Sequence, residues 1–104
     1  MQNNDQNLFN FSVEDYLMLT TTAYNSQSIS SILKTVGLNP DRLCKIDQVH
    51  SNKIVFSEKP GYYGEADGLI TSVECNVILQ ILTADCIPIF IFDKKSGIYA
   101  LVHA

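Results

Sequence analysis

A chain of 104 residues is enough for one small domain, and 46% hydrophobic against 17% charged side chains is a globular balance, not a disordered one. Seven basic against eleven acidic residues leave a net charge of −4, with only Lys94 and Lys95 adjacent, which argues against nucleic acid as a partner. The polar start MQNNDQNLFN lacks a secretory pattern and no apolar run reaches the roughly 18 residues of a membrane helix, so no membrane partner and a cytoplasmic location are expected.

In chain order, residues 1–12 read as a frayed lead-in or a short edge strand. Residues 15–22, DYLMLTTT, read as a strand ending in threonines. The spacing of Ile29, Ile32, Leu33 and Val36 predicts a helix over 26–36, with Ser26 or Ser28 as its cap. Gly37 stops it, and Asn39-Pro40 forbids its continuation. Short strands are expected at 43–49 and 52–57, on either side of His50-Ser51. The stretch KPGYYGEADG reads as a loop punctuated by Pro60, Gly61, Gly64 and Gly68. VILQILT (77–83) and IPIFIF (87–92) are nearly continuous apolar runs, expected to be strands covered on both faces. Asp93 to Gly97 is a turn, and IYALVH (98–103) pairs with 87–92 as a hairpin. One helix is too little material to cover such a sheet twice. The chain is therefore expected to be truncated, with exposed strands that favour self-association.

The soft ligand types sit at strand ends, where sites are built on sheets. His50 ends one strand, His103 ends another, and Cys86 lies in Thr83-Ala84-Asp85-Cys86, where the chain must turn. Their wide separation carries no compact zinc signature. A lone histidine on an apolar strand is more often a hydrogen-bonded core residue, and a buried cysteine a small hydrophobe. Asp85 tilts the balance toward a site, because a carboxylate wedged between two apolar strands is costly to bury unless paired or functional. Asp67 reads as a turn former, and Cys44 and Cys75 as structural. The three cysteines are odd in number and lack CxxC spacing, so neither a disulfide framework nor a zinc ribbon is indicated.

If His50, Cys86 and His103 converge, they give Zn²⁺ three protein ligands and leave a fourth position open, which is the catalytic arrangement. A water there would ionise near neutral pH. Two histidines and a cysteine also suit copper, but that set usually adds an axial methionine, and only Met1 and Met18 are present. A metal-free alternative keeps Cys86 as a nucleophile for amide hydrolysis, with His103 or His50 as its base.

Four segments carry a resemblance. Gln48-Val49-His50-Ser51 with Ile54-Val55, Glu65 to Thr71 (EADGLIT), Thr83 to Ile89 (TADCIPI) and Ile98 to Ala104 (IYALVHA) stand in the order found in the YfiH-type, laccase-domain or polyphenol oxidase family of purine nucleoside phosphorylases. Residues 43–104 are similar to it. Thr20 to Ser26, at the place of its TTRxGGVS segment, lacks the arginine and both glycines. The resemblance implies a mixed β-sandwich flanked by helices, an α+β fold shared with the cytotoxic necrotizing factor catalytic domain. It makes 1–104 the N-terminal part of a single domain. It implies one zinc on His50, Cys86 and His103, with purine nucleoside and phosphate as partners. The implied activity is phosphorolysis of adenosine, inosine and methylthioadenosine alongside adenosine deamination, where activated water would attack C6 of adenine. Asp85 would orient a ligand or relay a proton. The family continues past its VHA motif with Gly-Trp-Arg-Gly. A catalytically silent fragment or one piece of a split protein is the alternative from a different class.

Overall fold

A computed structural model of the chain describes residues 8–13, 16–21, 26–83 and 87–103. It is a sheet-rich α+β structure with one α-helix among the described residues. None of these residues forms a helix long and apolar enough to cross a membrane. The chain divides into two compact units, Met1–Pro40 and Asp41–Ala104.

In the first unit, β1 (Leu8–Val13) pairs antiparallel with β2 (Tyr16–Thr21), from Leu8 opposite Thr21 to Val13 opposite Tyr16. Of the two readings of the lead-in, a short strand therefore holds for residues 8–12. Helix α1 (Ser26–Thr35) covers the segment whose apolar spacing predicts it. Its end is a Schellman stop. Gly37 has φ 84°, its N–H donates to the Lys34 carbonyl, and the Leu38 N–H donates to the Leu33 carbonyl at 2.7 Å. A side chain would be strained at that φ, which explains the glycine.

The second unit holds two sheets, and the chain steps between them. A three-stranded sheet has the order β5 (Gly61–Glu65), β3 (Leu43–Asp47), β7 (Ile78–Leu79), with both pairs parallel. A four-stranded sheet has the order β4 (Ile54–Phe56), β6 (Gly68–Ser72), β9 (Ile98–His103), β8 (Pro88–Asp93). The β4–β6 pair is parallel, and β6–β9 and β8–β9 are antiparallel. Each parallel pair needs a crossover. Strands β3 to β7 alternate between the two sheets, so the β3–β5 and β4–β6 crossovers each run through one strand of the other sheet, and the β3–β7 crossover runs through β4, β5 and β6.

Alternation along β3 turns Cys44 and Ile46 inward and leaves Lys45 and Asp47 exposed. Cys44 and Ile46 form the buried cluster with Ala66, Leu69 and Val77, and Val55, Tyr63 and Leu79 pack against it. Leu69 is the contribution of β6, completely buried and level with Val55 on β4 and Leu101 on β9. Burial pushes the Cys44 thiol pKa up, so it stays protonated and unreactive, as a structural cysteine should. Arg42 fastens β3 to the turn before β7 by donating to the Cys75 and Asn76 carbonyls, both at 2.8 Å.

Three sequence expectations need correction. The glycine-rich stretch 59–68 contains strand β5, because Tyr62-Tyr63 is strongly β-prone and an edge strand tolerates its glycines. Of 77–83 only Ile78–Leu79 is strand. The third concerns β8, which is not covered on both faces. Phe90 and Phe92 are partly buried, while Ile89 and Ile91 are exposed. By register, Ile54, Phe56, Ile89 and Ile91 share one face of the four-stranded sheet, and all four are exposed. The predicted turn at 93–97 and the hairpin of 87–92 with 98–103 are both present.

Candidate functional site

The crossovers place His50 and His103 together. His50 follows the end of β3, and His103 is the last residue of β9. Between them runs Ala66-Asp67, the link from β5 in one sheet to β6 in the other. This link is fastened on three sides. The Ala66 N–H donates to the Asp47 carbonyl at 3.0 Å, the Asp67 N–H to Lys53 at 2.9 Å, and the His103 N–H to the Asp67 carbonyl at 2.9 Å. Gly68 follows because there is no room for more: a Cβ there would come within 2.7 Å of Val102 Cγ1 on β9 and would also crowd Ile54 Cδ1.

Asp67 is the hub. Its side chain is 2% exposed and is surrounded by donors. Oδ1 accepts the backbone N–H groups of Val49 at 3.2 Å and His50 at 3.1 Å, and lies 3.2 Å from His103 Nδ1. Oδ2 accepts the Ser51 hydroxyl at 2.7 Å and the Ser51 backbone N–H. Three successive amides converging on one carboxylate form an anion nest, which holds His50 in the left-handed region at φ 61°. The imidazoles of His50 and His103 then face one another, ring centres 5.4 Å apart and tilted by 50°.

Burial alone would raise the Asp67 pKa. The Ser51 amide and hydroxyl, the His50 amide and the His103 ring outweigh it and hold it at about 2, against an ordinary 3.8. A carboxyl with a depressed folded-state pKa contributes stability above its unfolded value and loses it as pH falls through the folded one. The window is therefore from about pH 4 down to about pH 2. The urea midpoint of the full-length protein is expected to fall across that window, and to fall less in Asp67→Asn. An equal fall in both would assign the acid sensitivity to other carboxylates.

The remaining expected site residues, Asp85 and Cys86, lie outside the described residues. The described residues that flank them are tied to the two histidine strands. Gln48, two positions before His50, grips Leu82: its side-chain oxygen accepts the Leu82 N–H at 2.9 Å, and its amide donates to the Leu82 carbonyl. Pro88 stands directly opposite His103 in the β8–β9 ladder. Among the described residues, no three histidine, cysteine or acidic side chains form a group that could hold a metal.

His103 is held at two points. Its main chain and its ring are both bonded to Asp67. Asp67 itself was not legible as more than a turn former. The desolvation argument that singles out Asp85 applies to it as well, since it directly precedes the apolar run Gly68-Leu69-Ile70.

The family model described as multi-copper polyphenol oxidoreductase laccase matches residues 18–104. A purine nucleoside phosphorylase of Corynebacterium glutamicum is 36% identical over 72 residues, covering 66% of this chain and 29% of the relative. One of Deinococcus radiodurans is 30% identical over 79 residues, covering 76% and 30%. One of Campylobacter jejuni is 30% identical over 105 residues, covering 100% of this chain and 44% of its own length. The chain thus spans less than half the length of each of these relatives.

Proposed function

The chain belongs to the multi-copper polyphenol oxidoreductase laccase family, and from that premise we propose that the full-length protein is a zinc-dependent purine nucleoside phosphorylase. Its substrates are adenosine, inosine, methylthioadenosine and phosphate, and it deaminates adenosine at the same site. The observation that carries this reading is the facing pair of imidazoles, His50 and His103, built around Asp67. Two imidazoles on one tetrahedral ion, each nitrogen at about 2.0 Å, have ring centres about 5 Å apart. The 5.4 Å separation of His50 and His103 fits that arrangement.

In this reading His50, Cys86 and His103 hold zinc, and the bonds of Leu82 to Gln48 and the position of Pro88 opposite His103 support Cys86 as the third ligand. Copper is the less favoured metal, because a two-histidine, one-cysteine copper site usually adds an axial methionine. Zinc, when bound, supplies a Lewis acid that brings the ionisation of a water toward neutral pH. Asp67 keeps the His103 ring in place through Nδ1, and Asp85 orients a ligand or relays a proton. Both compact units belong to one domain of mixed β-sandwich type flanked by helices, in a cytoplasmic protein.

The test is incubation of the full-length protein with adenosine and phosphate. Adenine and ribose 1-phosphate should form, activity should disappear on chelation, and Zn²⁺ should restore it. Product no greater than that of a Cys86→Ala control would sink the reading.

A further inference from the structure

We propose that Asp67 is a positioning residue that fixes His103 as its Nδ1–H tautomer and sets the His50 backbone, so that both imidazoles stand ready for one ion. The Asp67 carboxylate is surrounded by donors. Backbone N–H groups of Val49, His50 and Ser51 and the Ser51 hydroxyl all donate to it. A carboxylate enclosed by donors is ionised, and an ionised carboxylate only accepts. The contact between Asp67 Oδ1 and His103 Nδ1, at 3.2 Å, therefore requires the proton on Nδ1. Nε2 of the neutral ring is left as a bare lone pair, the form in which a histidine binds metal or takes up a proton.

The same oxygen acts on the other histidine through its main chain. His50 sits at φ 61°, where a non-glycine residue needs support, and its N–H is bonded to Oδ1. One oxygen atom thus touches both halves of the pair. A purely structural role, tying the turn at 49–51, would need only the amide contacts. The bond to the His103 ring is additional, and it is the one that selects a tautomer. The zinc reading above determines only what the free Nε2 is used for. The tautomer stands without it.

Two measurements on the zinc-stripped full-length protein test this. Long-range ¹⁵N–¹H NMR at pH 8 is expected to show His103 protonated on Nδ1, the form less populated in free imidazole side chains. Protonation on Nε2 would overturn the proposal. In Asp67→Ala, His103 should shift toward the Nε2–H form, and zinc should bind about 10–100-fold more weakly in a competition titration. Ser51→Ala removes the hydroxyl donor to Oδ2 and the acceptor of the Lys53 N–H but no contact to Oδ1, and should keep the wild-type tautomer. An unchanged tautomer or an unchanged zinc affinity in folded Asp67→Ala would also overturn it. Should Asp67→Ala fail to fold, the wild-type tautomer decides alone. Should the wild type bind no zinc, the zinc reading fails while the tautomer still tests the role of Asp67.

Discussion

Leu69→Ala in the full-length protein is expected to lower stability by about 2–5 kcal/mol, the cost of truncating a leucine that cannot be replaced by collapse of its surroundings. Leu69 is completely buried at the centre of β6. It packs in one cluster with Cys44 and Ile46 of the other sheet and with Val77. β6 is itself an inner strand, hydrogen-bonded to β4 and to β9, so its backbone cannot move in to fill a void. The loss would also reach the site, because Asp67 leads directly into β6 and His103 ends the strand paired with it. Urea unfolding of variant and wild type measures the effect. A loss below about 1 kcal/mol would mean that Leu69 is not the packing link between the two sheets, since that is the range of surface changes and isosteric swaps.

Much of this arrangement was legible in the sequence, and the failures have a common cause. The helix at 26–35 and the strand at 98–103 declare themselves through a local period: 3.6 residues for Ile29, Ile32 and Leu33, and a short apolar run bounded by the turn at Gly97 for the strand. His50 and His103 stood out because they end such segments. The parallel pairing of β3 with β5 and of β4 with β6 has no local signal, since each partner lies across a strand of the other sheet. β5 was hidden by its glycines, and β7 is too short to show a period. Asp67 was missed for a related reason. Most of its partners are main-chain N–H groups sixteen to eighteen positions upstream, and a backbone amide leaves no mark on residue choice.

The second large effect concerns the ligand set. Cys86→Ser is expected to weaken zinc binding by more than about a hundredfold, since outer-shell partners alone are worth about 10–100-fold and Cys86 is read as a direct ligand. The described neighbours are consistent with this expectation: Gln48 holds Leu82 beside the strand that leads to His50, and Pro88 stands opposite His103. A thiolate is also the softest donor of the three, which favours Zn²⁺ over the hard cations Mg²⁺ and Ca²⁺. The most direct measurement is X-ray absorption at the zinc edge of the full-length protein. One sulfur at about 2.3 Å and two imidazole nitrogens at about 2.0 Å are expected, with the sulfur lost in Cys86→Ser. A zinc shell without sulfur, or a spectrum that Cys86→Ser leaves unchanged, would contradict a site built from His50, Cys86 and His103.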